Sequence, residues 1–141
     1  MMGAAKLAAT LALLAVLAVP EVSGAAATAG RPSARTGEVT QIDADSFQKM
    51  LEEVSALEGA VAAEDGGITR VEIATDGKVW FFTQPGHAAH PAVVSVQILR
   101  EEGVPHIQTD GWRGGNRMAF DEWFTAFVRR NAHLARKWRE E

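Results

Sequence analysis

The sequence predicts an α+β fold: a helix, a four-stranded antiparallel meander and a C-terminal helix, with both helices on one face of the sheet. Three observations carry this expectation. Apolar residues recur at helical spacing at both ends of the folded part, and the segments between alternate apolar and polar residues. The links between those segments are short, which favours antiparallel neighbours.

The first helix opens at Ile42-Asp43. Asp43 can cap it, and Ile42 can pack on Phe47 as a hydrophobic staple. Phe47, Met50, Leu51, Val54, Leu57 and Val61 then form one stripe, opposite Gln48, Lys49, Glu52, Glu53 and Glu58. Gly59 weakens the last turns, and Asp65-Gly66-Gly67 is the expected stop.

Ile68 to Ile73 alternates in the manner of a half-buried strand. Asp76-Gly77 is a hairpin signal, because both residue types tolerate positive φ. Val79-Trp80-Phe81-Phe82-Thr83 carries aromatics on both faces, which places it centrally in the sheet. Ala92 to Leu99 is rich in β-branched residues and reads as the third strand. After a turn at Arg100–Gly103, Val104 to Thr109 reads as the fourth, with Pro105 suggesting an edge or a late start. Asn116 is the expected cap of the last helix, whose buried face is Phe120, Trp123, Phe124, Phe127, Leu134 and Trp138.

The chain begins as a secretory signal peptide would. Lys6 precedes a charge-free apolar run from Leu7 to Val19, Pro20 ends it, and small residues follow. The run is shorter than the roughly 20 residues a membrane span requires. Gly24, Ala26 and Ala29 each offer a cleavage point, so residues 1–29 are expected to be removed, with no membrane span remaining. No Arg-Arg pair points to the twin-arginine route. There is no cysteine, which excludes disulfides and a lipoprotein-type lipid anchor. Residues 30–37, with Pro32, Ser33 and Gly37, read as a flexible lead-in, and residues 38–141 as a single domain. A domain of about 100 residues can fold on its own core.

The net charge of −4 is small and unevenly spread. Acids dominate from Glu38 to Asp76, and Arg129, Arg130, Arg136, Lys137 and Arg139 crowd the end. Cations near a helix C-terminus complement its dipole. With an acidic total and no nucleic-acid motif, nucleic-acid binding is not expected.

The most distinctive segment is the loop Thr83-Gln84-Pro85-Gly86-His87-Ala88-Ala89-His90-Pro91-Ala92. Two imidazoles in a proline-bracketed loop could share a metal, with His106 from a neighbouring strand as third ligand and Asp110 or Glu102 as carboxylate. Zinc, copper and nickel are the candidate ions; otherwise no cofactor is expected. A zinc site requires three or four ligands in fixed geometry. The competing reading is a tight turn in which one histidine bonds the backbone.

Enzyme signatures are sparse. Ser23, Ser33, Ser46, Ser55 and Ser95 are the serines, and none lies in a nucleophile elbow. Gly111-Trp112-Arg113-Gly114-Gly115 lacks phosphate-loop spacing. Trp123 reads as core. Trp80 and Phe82 would form an exposed aromatic patch if they lie opposite the helices, and such patches bind partners. Trp112, in a glycine-rich loop, could cover the core edge or contact a ligand, and core packing is the competing reading for each tryptophan.

The runs Trp80 to Val94, with its Pro85-Gly86-His87 and His90-Pro91, and Ile107 to Trp112 resemble a group of small bacterial exported proteins. These share an aromatic strand followed by a Pro-Gly-His…His-Pro loop, often with proline where this chain has Ala88. The resemblance spans roughly residues 68 to 130. It implies export and one compact domain, and it transfers no catalytic residue.

The function expected from the sequence is a non-catalytic exported module, periplasmic or secreted, that binds a protein or cell-envelope partner through Trp80, Phe82 and Trp112. The alternative is a metal-binding protein using His87, His90 and His106. An enzyme of unknown type ranks third.

Overall fold

The computed structural model describes residues 30–141; the signal-peptide reading of residues 1–29 lies outside the described residues. Pro32–Glu141 forms one compact unit. Its elements are β1 (Ser33–Gln41), α1 (Ala44–Ser55), β2 (Ala60–Asp65), β3 (Ile68–Ile73), β4 (Lys78–Thr83), β5 (Ala92–Glu101), β6 (Val104–Arg113) and α2 (Arg117–Arg139). A 3₁₀ turn over Ala74–Asp76 links β3 to β4.

The fold is α+β, but the four-stranded antiparallel meander is incorrect. The sheet has six strands in the order β1-β6-β5-β4-β3-β2, and β1 pairs with β6 in parallel. The added strands come from two segments read differently in the sequence. Ala60–Asp65 continues the apolar stripe of the first helix, yet α1 ends at Ser55. The helix is capped at Ala56, and Gly59, at φ 83°, closes the turn that follows and leads the chain into β2. Ser33–Gln41, largely inside the presumed lead-in, forms the parallel edge strand. It carries almost no apolar residues because its side chains are half-buried or exposed.

The helices do not share a face either. Alternation along β4 decides this: Phe82 packs against Phe47 of α1, with ring centroids 5.9 Å apart. Its neighbour Phe81 packs against Phe127 of α2 at 4.8 Å. Successive strand residues point to opposite faces, so α1 and α2 cover opposite sides of the sheet. The core is accordingly split. Phe47, Val54, Val71, Ile73, Phe82 and Val93 fill the α1 side. Ala89, Ala92, Val94, Phe120, Phe124 and Phe127 fill the α2 side.

Both caps match the sequence. Asp43 accepts from the Ser46 N–H at 2.7 Å, and Asn116 from the Ala119 N–H at 2.8 Å. The expected buried face of α2 needs one correction. Leu134 is 37 % exposed, whereas Asn131 is buried and donates to the Thr109 hydroxyl at 2.9 Å. α2 lies close to β6 because position 111 is glycine: a Cβ there would stand 2.7 Å from Phe120 Cζ and 2.9 Å from Phe124 Cε1. At its end, Arg139 donates to the Pro32 carbonyl at 2.8 Å. Pro105 stands in an interior strand after all. It faces Arg100 of β5, and pairing with β1 begins one residue later at His106, so its missing N–H costs β1 no bond.

α1 covers only part of its face. Ile42 donates from its backbone to Arg113 at the end of β6, and α1 delivers the chain to β2 at the far edge. Its 12 residues span about 18 Å, close to the roughly 19 Å of four strand spacings. The helix therefore runs obliquely over β4 and β3. Among the described residues, no helix packs on the half of the face built from β5, β6 and β1, toward Glu101 and Val104. Among the described residues no helix is long and apolar enough to cross a membrane.

Candidate functional site

The histidine loop is held from within. The backbone N–H groups of His87 and His90 donate to the Gln84 and His87 carbonyls, each at 3.0 Å. His87 Nδ1 accepts from the Ala89 N–H at 3.0 Å, and His90 Nδ1 lies 2.8 Å from the Thr83 hydroxyl. That hydroxyl also accepts from the Ala92 N–H at 2.9 Å, tying the loop to the start of β5. The two rings then diverge. His87 stands edge-on to Trp123 of α2, with centroids 5.2 Å apart, and His90 stands edge-on to Phe47 of α1 at 5.1 Å. They face opposite sides of the sheet. His106 is seven residues from the β5-proximal end of β6, roughly 23 Å along the strand. The structure does not bring His87, His90 and His106 together, and among the described residues no group of three potential ligands converges on one point. A crevice of about 240 Å³ lies between α1 and the loop, lined by Phe47, Gln48, Leu51, Gln84, His90 and Pro91 among others.

The three aromatic candidates separate. Phe82 is fully buried under α1 and presents no surface. Trp80 and Trp112 are half-buried, and their rings meet at 5.3 Å with a 31° tilt. Phe82 stacks on Trp80 at 6.1 Å from one neighbouring position of β4, and the Lys78 ammonium lies 4.3 Å over the indole from the other. Both faces of Trp80 are thus covered, and its Nε1 is buried as well.

This indole pair stands at the head of a polar trough on the half of the face over which, among the described residues, no helix packs. The register defines its rows. Trp80 pairs with Ser95, and Ser95 with Asp110. The next row is Lys78, Gln97, Gln108 and Arg35. The third is Leu99, His106 and Ser33. Among the described residues, three buried side-chain atoms have no hydrogen-bond partner: Trp80 Nε1, Ser95 Oγ and His106 Nε2. All three side chains project from this one face. Buried polar atoms are normally satisfied, so such a concentration calls for an explanation. Other groups here are partly committed. Gln108 donates to Asp110 Oδ2 at 3.1 Å, and Gln97 to the Asp76 carbonyl at 3.2 Å. Gly37 of β1 makes room for Asp110, since a Cβ at Gly37 would overlap its Oδ1 and stand 2.8 Å from its Cγ.

A second cluster closes the far end. Arg35 makes a two-pronged contact with Glu101, at 2.8 and 2.9 Å. Beneath it His106 is 1 % exposed, with Nδ1 2.7 Å from the Ser33 hydroxyl and Nε2 3.7 Å from Glu101 Oε1. The last distance lies within ion-pair reach but beyond a hydrogen bond. Arg35 and Ser33 both belong to β1, so the cluster fastens the parallel edge strand. The hydrogen bonds from Arg35 hold the Glu101 carboxyl below its usual range, outweighing the opposing effect of desolvation. A lowered carboxyl pKa stabilises the fold above the unfolded-state value, and that contribution disappears as pH falls through the folded-state one. Hydrogen exchange of β1 amides should therefore speed up relative to β5 when pH falls from about 6 to about 3, after correction for intrinsic rates. Arg35→Gln should remove most of the difference. Equal pH dependence in wild type and variant would show that this pair does not hold β1.

Sequence reasoning named Trp80 and Trp112 but not Ser95, Gln97, Gln108 or Arg35 as members of one surface. The signal was present as alternation. Ser95 and Gln97 on one strand, and His106, Gln108 and Asp110 on the next, are polar at every second position. Read together, the two strands place five polar side chains on one face. Comparison with protein-family models, with curated proteins and with solved structures finds no match to this chain.

Proposed function

We propose that the protein is a non-catalytic exported binding module whose contact surface is the polar trough on β4, β5, β6 and β1. The observation that supports this most is that Trp80 Nε1, Ser95 Oγ and His106 Nε2, buried and without a hydrogen-bond partner among the described residues, all lie on the half-face over which no described helix packs. Unused hydrogen-bonding groups cost stability unless something satisfies them, and a partner that displaced the side chains lying over them would do so. The non-catalytic part rests on spacing. His106, the imidazole on Ser95's face, lies about four residues along the strand from Ser95's partner Asp110, roughly 13 Å away. General base catalysis requires hydrogen-bond reach.

The reading is tested by titrating isotopically labelled protein with envelope material separated into protein, glycan and lipid fractions. One fraction should shift the resonances of Ser95, Gln97, Gln108 and Asp110. Gln97→Ala/Gln108→Ala should weaken that binding about tenfold or more, equivalent to about 1.4 kcal/mol, with little change in melting temperature, because both side chains are part-exposed. Shifts confined to other surfaces, or none with any fraction, would rule the trough out as the contact surface.

A further inference from the structure

We propose that the outer edge of β2 takes an extended, basic segment of a partner protein as a further strand. This surface lies at the opposite edge of the sheet from β1 and is independent of the trough.

β2 is the last strand of the sheet, and among the described residues no strand pairs with its outer side. Gly66 and Gly67, both at positive φ, form the two-residue turn that joins it to β3. Such a turn makes Asp65 and Ile68 the closing hydrogen-bonded pair, and bonded pairs recur at every second residue. Val61, Ala63 and Asp65 therefore bond to β3. Ala62 and Glu64 aim their N–H and C=O groups away from the sheet. The Ala60 N–H fits this alternation, since it donates to the Leu57 carbonyl at 3.1 Å rather than to β3. The strand is also open to solvent. Every residue of β2 after Ala60 is exposed, Val61 to 68 %.

The two edges of the sheet differ in protection. Exposed edges are normally blunted by a bulge, a proline or a lysine. β1 has a register shift between Thr36 and Val39. β2 pairs with β3 residue for residue from Ala60 to Asp65 and contains neither proline nor lysine. Its run Ala60-Val61-Ala62-Ala63 is small, which leaves room on both faces for the larger side chains of an added strand. In strand addition, main-chain hydrogen bonds give affinity and alternate side chains give specificity.

Charge selects the partner. Glu58, Glu64, Asp65 and Glu72 lie at or beside this edge, and Arg70, the cation among them, already pairs with Glu72 at 3.2 Å. Lys78, further inward, lies over Trp80. A second copy of β2, or any acidic strand, would bring like charges to the seam. Lysines or arginines opposite Glu64 and Asp65 would instead pair with them. At the other end Val61 and the 47 % exposed Leu57 offer apolar contact. The segment that fits is basic where it meets Glu64 and Asp65 and apolar where it meets Val61.

The experiment titrates isotopically labelled protein with capped decapeptides. One alternates Lys and Thr in its first half and Val and Thr in its second. Another is its reverse, and a third replaces every Lys by Glu. One of the lysine peptides should slow exchange of the Ala62 and Glu64 amides about tenfold or more. The Ala63 amide, already bonded to β3, should change far less. The glutamate peptide should have no effect. Raising salt from about 0.05 M to about 0.5 M should weaken binding about threefold or more. Ala62→Pro removes an outward N–H and no bond to β3, and should abolish binding. Glu64→Lys/Asp65→Lys alters only exposed side chains, so it should fold as wild type and bind about tenfold more weakly. Equal binding of the glutamate peptide would overturn the proposal. Slowing of the same amides by raised protein concentration alone would make the partner a second copy and overturn it too. So would lysine peptides that, at about 1 mM, perturb nothing or only other surfaces.

Discussion

Replacing Phe127 with alanine should destabilise the protein by about 3–5 kcal/mol, the range for deleting a buried phenylalanine. Phe127 is the residue through which α2 grips the sheet. Its ring lies 4.8 Å from Phe81 of β4 and 5.3 Å from Trp123 one turn earlier, and it is 8 % exposed. The Arg130 guanidinium, 5.1 Å over the ring, covers its outer side. Removal would leave Phe81 facing a void, and the neighbouring aromatics are too rigid to close it fully. Chemical denaturation should show the loss as a lower midpoint with an unchanged slope. A variant of wild-type stability would mean that α2 does not pack through this residue.

Phe82→Ala should cost about as much, 3–5 kcal/mol, through the other layer. Phe82 is fully buried, edge-on to Phe47 at 5.9 Å and stacked on Trp80 at 6.1 Å. Had it formed an exposed patch, as the sequence alone suggested, the substitution would change stability by no more than about 0.5 kcal/mol. The two losses should also be independent, because the sheet lies between them. The milder pair Phe82→Leu and Phe127→Leu keeps the protein folded for a double-mutant cycle. Their effects should add within about 0.5 kcal/mol, as expected of sites with no shared partners. A coupling above about 1 kcal/mol would place both rings in one core and contradict the two-layer arrangement.

These paired effects show how much of the fold was legible. Aromatics at Phe81 and Phe82, adjacent in a strand, already require apolar cover on both faces. The sequence carried that requirement but did not indicate which helix met which face. The first helical stripe ran on through Leu57 to Val61, because apolar spacing alone does not distinguish a helical turn from the start of a strand. The helix stops at Ser55, and Gly59, whose positive φ became visible only in the folded chain, leads into the strand. In the trough, each strand's polar alternation was readable by itself. The meeting of Trp80, Ser95 and Asp110 in one row was not, because it depends on register across three strands.

The sequence by itself determined the local features: both helix caps, the β3 and β4 strands, the central place of the aromatic strand, the turn before β6 and the absence of any disulfide. Each depends on residues a few positions apart, where side-chain chemistry and backbone sterics act directly. Only the tertiary structure decided the parallel pairing of β1 with β6, the division of α1 and α2 between two faces, and the gathering of polar side chains beside α1 on its face. Ser33 meets His106 across 73 positions of sequence. Contacts at that range are selected by which closures bury the most apolar surface around a shared sheet, and a half-exposed edge strand such as β1 carries little local hydrophobic signal of where it belongs.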